Sequence, residues 1–413
     1  MTLPEQFIDN IRAIFPPQLY EQFLKGLDEK PTVSIRLNPF KHTSEEGVTA
    51  SSYETVPWCE EGRYLSERPS FTADPLFHAG DYYVQEASSM FIHHVVKQLP
   101  IKPLLALDLC AAPGGKTTCL RSVLPESCLL MCNEPHPQRV QILKENVIKF
   151  GHPKVVVTHN YPRDYSRTHL QFDLILTDMP CSGEGMFRKD PNSINEWSMG
   201  NVRKCQELQR SIAKDIWDNL RPGGFLIYST CTFNTYENEE NVEWIAQTLG
   251  AEHYEIPVSE EWHITPALQS NIPAYRFIPG VSRGEGLFLS VLRKKGTFAE
   301  ATPISPKSLE KELSRLKVLS YGVRPPVPKG KKLIPDVSQA LSINDASDAY
   351  PLIAVDYPTA IAYLRHEAIT LPPDSAKGIV TIAYQGRALG YANNLGSRAN
   401  NLYPQAWRIH KNL

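Results

Sequence analysis

The chain predicts an open α/β fold built on a doubly wound sheet, and three observations carry that prediction. Short apolar runs alternate with helical patterns: Leu104–Cys110, Leu129–Glu134, Val155–His159, Leu174–Asp178 and Phe225–Ser229, closing with Gly286–Lys294. Such alternation is the signature of a largely parallel sheet with helices on both faces. A turn of small residues, CAAPGGKTT (Cys110–Thr118), follows the first run directly. Two cysteines fifty positions apart, Cys181 in TDMPCSGEG and Cys231 in YSTCTFN, each follow a later run. In an open α/β sheet, ligands meet the carboxyl ends of the strands, so loop and thiols are expected at one crevice.

Taken in order, residues 1–98 give two helical patterns, FIDNIRAIF and LYEQFLKGL, then a strand-like TVSIRLNP, hence a small α+β module. His93 and His94 fall on a helix among Phe91, Val95 and Val96, where packing is the simpler role. Residues 99–295 hold the alternating runs. A helix is expected to start near Thr117 and to carry Leu120 and Leu124. NEENVEW (Asn238–Trp244) opens another, since acids are favoured in a first turn. Ala301–Lys307 reads as a linker and Arg324–Lys332 as exposed loop. Residues 301–413 then give the strand-like PLIAVD and the run KGIVTIAYQGRALGYA, whose Gln-Gly between alternating apolar residues predicts a hairpin in a small mixed-β domain.

A length of 413 residues accommodates two or three domains. No run of 18 apolar residues predicts a membrane span, and MTLPEQFIDN lacks a signal pattern. Eight cysteines are too sparse for a disulfide scaffold and show no C-x-x-C spacing, so a cytoplasmic protein with reduced thiols and no metal site is expected. Net charge is only −2, but it is unevenly spread. Residues 301–413 carry 14 Lys/Arg against 8 Asp/Glu, a net +6, and residues 1–300 carry 29 against 37, a net −8. A basic tail on an acidic body fits an appended nucleic-acid-binding module, although +6 is also compatible with ordinary surface scatter.

Cysteine often just packs, and either thiol alone would be read so. Asp178, Pro180, Ser182 and Gly183 around Cys181, and Ser229, Thr230 and Thr232 around Cys231, instead place both in loops. A thiolate is a strong nucleophile, so two at one sheet edge point to covalent catalysis with one thiol in a supporting role. Cofactor chemistry follows from the loop Cys110, Ala111, Ala112, Pro113, Gly114, Gly115, Lys116 and from Glu134 at the end of the next strand. Small residues admit a ligand close to the backbone, and an acid at that place holds ribose hydroxyls. The dinucleotide spacing G-x-G-x-x-G is missing. Gly115-Lys116-Thr117 fits the end of an NTPase phosphate loop, but Cys110 replaces its first glycine and Pro113 removes an N–H. S-adenosylmethionine, which carries adenosine but no phosphate, satisfies both signals. The GEG turn (Gly183–Gly185) with Phe187, Arg188 and Lys189 supplies basic and aromatic contacts suited to RNA, where the bland reading is a loop.

CAAPGGKTT, DMPCSGEG and YSTCTFNTYENE together resemble the RsmF-like branch of the Sun-type RNA (cytosine-5)-methyltransferases. DPLFHAGDYYVQEASSM (Asp74–Met90) and FRKDPNSINEWS (Phe187–Ser198) resemble that branch too, so the likeness covers about residues 1–295 and the tail more loosely. The resemblance implies a class I methyltransferase domain over 99–295, a 1–98 module that helps form an RNA groove, and a PUA-like RNA-binding domain over 301–413. It implies Cys231 as the nucleophile toward carbon 6 of cytosine, Cys181 in product release and Asp178 on the cytosine ring. Cys110 to Lys116, Glu134, Arg139, Asn160 and Asp178 would line the S-adenosylmethionine site. One departure shows: the family has an acid after its third strand, where this chain has Asn160 and Tyr161, leaving Asn160 or Asp164 for the adenine. The implied reaction needs an unstacked base, since its atoms are out of reach within a helix. The implied substrate is 16S ribosomal RNA, with transfer RNA as the alternative, and the implied state is a monomer. Two rivals of other classes are an RNA-stimulated NTPase and a catalytically silent RNA-binding scaffold, the latter disfavoured by the presence of both thiols.

Overall fold

The computed structural model describes residues 2–41, 53–298, 303–330, 332–344 and 349–410. The chain opens with two amphipathic helices, α1 (Glu5–Ile14) and α2 (Pro17–Asp28). Pro17 sits at the first helical position, where a missing N–H costs nothing. Their buried faces, Phe7, Ile11, Phe23 and Leu27, pack on Phe187, Trp197 and Phe233. Phe187 lies six residues beyond Cys181, and Phe233 two beyond Cys231. Ring centroids are 5.1 Å apart for Phe7–Phe187 and 4.9 Å for Phe23–Phe233, both edge-on. The opening helices therefore buttress both cysteine loops.

A four-stranded antiparallel sheet follows: β1 (Val33–Leu37), β2 (Glu54–Val56), β3 (Cys59–Leu65) and, after the short helix α3 (Pro75–Ala79), β4 (Tyr82–Val84), in the order β2-β3-β1-β4. Helix α4 (Phe91–Gln98) carries the predicted His93 and His94. Its buried residues share a core with Leu120, Leu176 and Phe277, so the module is fused to the domain that follows.

The predicted strand runs all form. They are β5 (Leu105–Asp108), β6 (Leu129–Asn133), β7 (Val155–Thr158), β8 (Phe172–Asp178) and β9 (Leu220–Thr230). Helices α5 (Gly115–Val123) and α6 (Pro137–Phe150) connect the first three strands, and α7 (Pro191–Glu196) and α8 (Met199–Trp217) join β8 to β9. Then come α9 (Glu239–Leu249), with the expected acids in its first turn, β10 (Ala251–Tyr254), β11 (Tyr275–Phe277) and β12 (Leu287–Lys294). The sheet order is β10-β12-β9-β8-β5-β6-β7, parallel from β9 to β7 and antiparallel at β12. The order reverses at β5, between β6 and β8, and a crevice opens at the carboxyl ends there. This is the class I methyltransferase arrangement.

One boundary differs from the reading of the sequence. Residues 301 and 302 of the expected linker lie outside the described residues, and helix α10 (Pro306–Leu313) starts within it. Strand β13 (Val318–Tyr321) then adds antiparallel to β7, extending the central sheet. Leu309, Leu313 and Leu316 are buried in the central core. Residues 306–321, assigned from sequence to the C-terminal domain, thus belong structurally to the central one. Their charge and modest apolar content hid a packing decided by the open edge of β7. The expected loop at 324–332 is a two-stranded ribbon, β14 (Val327–Lys329) and β15 (Lys332–Ile334), with Val327 and Leu333 exposed.

After α11 (Val337–Ala340) comes the C-terminal sheet: β16 (Leu352–Ala354), helix α12 (Tyr357–Leu364), β17 (Gly378–Tyr384), β18 (Arg387–Asn394) and β19 (Ala399–Asn401). It is mixed, with β16 parallel to β17 and the others antiparallel. The predicted hairpin is β17–β18. Its Gln385-Gly386 turn has positive φ at both residues, 48° and 76°, as a two-residue hairpin turn of the matching twist requires.

Candidate active site

Strands β8 and β9 are parallel neighbours with Asp178 opposite Ser229, so the loops leaving them start side by side. Cys181 and Cys231 Sγ atoms are 3.3 Å apart, and both thiols are free. The hydrogen bond with Cys231, together with burial, holds the Cys181 thiol well above the ordinary thiol range. The Cys181 thiol is therefore kept protonated, with its S–H beside the Cys231 sulfur.

Two carboxylates lock this spacing, each reaching from one cysteine loop into the other. Glu184, three residues after Cys181, is fully buried. Its Oε2 accepts the backbone N–H groups of Phe233 and Asn234 at 2.7 and 3.0 Å. Its Oε1 accepts Trp197 Nε1 and Asn234 Nδ2 at 2.9 and 3.0 Å. Glu237, six residues after Cys231, returns the contact. Its Oε2 accepts Ser182 N at 3.0 Å and Gln209 Nε2 at 2.8 Å, and its Oε1 accepts Asn234 Nδ2 at 2.9 Å. Burial raises the Glu237 carboxyl to about 7 against the hydrogen bonds that favour its charge. Gly185 N donates to Cys231 O at 2.8 Å, and a Cβ on Gly185 would stand 2.8 Å from that oxygen, so only glycine fits. Sequence reading missed Glu184 and Glu237 as a pair; the available signal was an acid soon after each cysteine, three residues on in one loop and six in the other.

Asp178 sits one-third exposed at the mouth of this cleft. Its Oδ2 accepts Lys116 Nζ at 2.9 Å and its Oδ1 accepts Ser229 Oγ at 3.0 Å. Burial would lower the Lys116 ammonium, but Asp178 outweighs it and the net shift is upward. Lys116, expected with the cofactor loop, is thus the link between that loop and the cysteine cleft.

The loop itself runs from the end of β5 to the start of α5. Gly114, at φ 112°, caps α5 in a conformation that disfavours other residues. Ala111 N donates to Asn133 O, Asn146 Nδ2 to Pro113 O, and Arg139 Nη2 to Ala112 O, each at 2.8 Å. Cys110 is half-buried and its thiol is pushed up by burial. Glu134 is buried at the tip of β6. Its Oε1 accepts His136 N at 2.9 Å, and its Oε2 lies 3.7 Å from Arg139. Arg139 therefore joins Glu134 to the loop. Asp108 was missed: fully buried at the end of β5, it accepts Thr117 Oγ1 at 2.6 Å while its Oδ1 has no partner. Burial raises its carboxyl to about 7.

Asn160 takes a different part from the one expected. Its Oδ1 accepts Lys317 N at 2.9 Å and its Nδ2 donates to Lys317 O at 3.3 Å, so its amide anchors the segment leading into β13. Asp164 accepts Tyr161 N and stays within its own turn. The Asn160 amide is thus taken up by the Lys317 backbone, and the Asp164 carboxylate by its own turn.

The lining decides between cofactor classes. Asp108, Glu134 and Asp178 put three carboxylates around the loop, and the lysine a phosphate cradle would use is paired to one of them. That surface repels a polyphosphate. It suits a ligand with ribose hydroxyls and cationic groups, which is what S-adenosylmethionine offers.

Three family models match the chain in succession. Residues 3–87 match the N-terminal domain of 16S rRNA methyltransferase RsmF, residues 100–293 match 16S rRNA methyltransferase RsmB/F, and residues 350–409 match the methyltransferase RsmF PUA domain. A ribosomal RNA small subunit methyltransferase F from Pectobacterium atrosepticum is 33% identical over 72% of this chain and 63% of its own length, so the chain spans just under two thirds of that relative. The same-named protein from Shewanella baltica is 28% identical over 98% of this chain and 96% of its own. A solved methyltransferase homolog from Pyrococcus horikoshii is 26% identical, with a TM-score of 0.60 over 70% of this chain and 95% of that one.

Proposed function

This chain belongs to the RsmB/F family of 16S rRNA methyltransferases, and from that premise we propose that it methylates carbon 5 of a cytosine in 16S ribosomal RNA, using S-adenosylmethionine and a covalent cysteine–cytosine adduct. The observation that carries the reading is the pair of thiols 3.3 Å apart beside the Lys116–Asp178 pair.

Carbon 5 of cytosine is a poor nucleophile. Cys231 as thiolate adds to carbon 6, and the ring electrons move toward carbon 5. Cys181, held protonated, donates its S–H to the Cys231 sulfur before the addition and again as that sulfur departs. Ring nitrogen 3 takes a proton from solvent as the adduct forms and gives it back when the ring is restored; Asp178 accepts the hydrogen bond from that N–H, and Lys116 fixes the carboxylate in place. The bound cofactor would supply an electrophilic methyl group, held by Glu134 at its ribose and by the backbone from Cys110 to Gly115. The carbon 5 proton passes to solvent, and its bonding electrons restore the ring double bond as the bond between Cys231 and carbon 6 breaks. The base must be unstacked to enter the cleft. Lys189 lies exposed on the loop beyond Cys181 where an RNA strand would approach, whereas Phe187 is buried and Arg188 is held in a buried ion pair with Glu285, so neither is the RNA contact expected from the sequence. Among the described residues no helix is long and apolar enough to cross a membrane. The proposed substrate, 16S ribosomal RNA, puts the enzyme in the cytoplasm.

Bisulfite sequencing of RNA from a deletion strain tests the assignment. One cytosine of 16S RNA should lose its protection and regain it with the wild-type gene but not with Cys231→Ala. Loss confined to transfer RNA would move the substrate, and no loss at all would overturn the reading.

A further inference from the structure

Away from the catalytic thiols, a second group of soft donors meets at the joint between the amino-terminal sheet and the central domain. Cys59 and Glu61 stand two apart on β3, hence on one face of it. His93 comes from α4. One donor atom from each of Cys59, Glu61 and His93 lies within 4.8 Å of the others. Cys119, on α5, is a second buried thiol, with its Sγ 3.9 Å from Met90 O, and stands outside this group. Cys59, His93 and Cys119 are buried, at 1%, 3% and 0% exposure.

Two features separate this cluster from an ordinary buried ion pair. His93 Nδ1 is 3.1 Å from Glu61 Oε2, yet it lies off the line that an N–H···O bond needs, and neither ring nitrogen has a hydrogen-bond partner. Buried imidazoles are normally satisfied. Two groups that are close but not aimed at each other are what two ligands facing a third point look like. The spacings agree. Zinc binds thiolate at about 2.3 Å, imidazole at about 2.0–2.1 Å and carboxylate at about 2.0–2.2 Å in a tetrahedron, whose edges are then about 3.6 Å from S to O and about 3.4 Å from N to O. Cys59 Sγ is 3.6 Å from Glu61 Oε2, and the N to O separation is the 3.1 Å above.

We propose that Cys59, Glu61 and His93 form a site for a zinc-class divalent transition ion, with water completing the tetrahedron. Thiol and imidazole donors select such an ion over magnesium or calcium. The thiol binds as thiolate and releases its proton to solvent. The ion staples β3 of the amino-terminal module to α4. The ligands come from two elements and show no C-x-x-C spacing, which is why the sequence predicted no metal.

The full-length protein, purified without a histidine tag and without chelator, is the object to test. Its zinc content should approach one ion per chain. Cobalt(II) added to the chelator-stripped protein should give intense near-ultraviolet thiolate-to-cobalt absorption with tetrahedral visible bands, bleached by zinc. His93→Ala and Cys59→Ser should each lose these bands, and Cys205→Ser, a thiol elsewhere, should keep them. Stripping should also lower the melting temperature of the wild type by a few degrees. A folded wild type that holds no zinc and gives no thiolate–cobalt band overturns the proposal, even where the variants fail to fold. So do equal bands in wild type and the Cys59→Ser/His93→Ala double variant, which would put the metal elsewhere. An unchanged melting temperature on stripping overturns the staple.

Discussion

Cys181 and Cys231 are chemically alike and in contact, so their roles separate only through what each substitution leaves behind. Cys231→Ala should abolish methyl transfer while adenosylmethionine still binds, because the cofactor loop and Glu134 belong to other strands; calorimetric titration beside a methylation assay checks both halves. Cys181→Ala should form the Cys231 adduct and release it slowly. A slow-migrating enzyme–RNA band on a denaturing gel should appear with cofactor and RNA present and vanish in the Cys181→Ala/Cys231→Ala double variant. Accumulation in Cys231→Ala instead would reverse the two roles. Glu134→Ala removes a buried carboxylate facing the loop. The loss of a charge-assisted hydrogen bond costs about 1.5–3 kcal/mol, or roughly ten- to a hundredfold in cofactor affinity. An unchanged dissociation constant would show that the ribose is held elsewhere. Residues at this scale were legible where position alone fixes the environment. Cys181, Cys231 and Asp178 follow buried strands, and the ends of such strands form the crevice. Asp108, Glu184 and Asn160 were not, because what each side chain meets is set by partners far along the chain.

At the scale of elements, the two cysteine loops behave as one unit held by exchanged carboxylates. Glu184 accepts four hydrogen bonds, two of them from backbone N–H groups of the Cys231 loop. Glu184→Gln keeps the shape but replaces one acceptor oxygen by a donor, leaving at least one buried donor without a partner. That costs about 1–3 kcal/mol. Thermal unfolding should show the loss, and the methylation rate should fall while adenosylmethionine affinity stays unchanged, since no donor of the cofactor loop is touched. Equal activity in Glu184→Gln would mean that the loops hold their spacing without the clasp. Most elements were readable because apolar runs of strand length between helical patterns admit few alternatives. The exceptions are instructive. β13 is recruited by the unpaired edge of β7, and its sequence, VLSY, says nothing about which sheet it joins. The β14–β15 ribbon looks like loop because its proline and lysine content is that of an exposed edge.

For the whole molecule, the placement of residues 306–321 in the central sheet changes where the chain can be cut. A truncation at 301 would strip β7 of its neighbour and expose the core around Leu309 and Leu313, so lost RNA binding would then report damage. A truncation that removes residues 349–413 leaves the central sheet whole. The removed piece carries 6 Lys/Arg against 3 Asp/Glu, a modest excess of +3. It docks on the amino-terminal module through Arg387–Asp81 at 3.0 Å and Tyr357 to Ala73 O at 2.9 Å. Adenosylmethionine affinity should survive this cut, since Asp108, Glu134 and Asp178 lie in the central sheet. RNA affinity should fall, and its dependence on salt should flatten. Each phosphate contact contributes a slope of about 0.7–0.9, so an excess of three charges sets the scale of the change at about two to three units if most of them meet phosphate. Filter binding of 16S RNA across a salt series measures both quantities. Equal affinity and equal slope would remove the C-terminal sheet from the RNA interface and leave its docking on the amino-terminal module as its role.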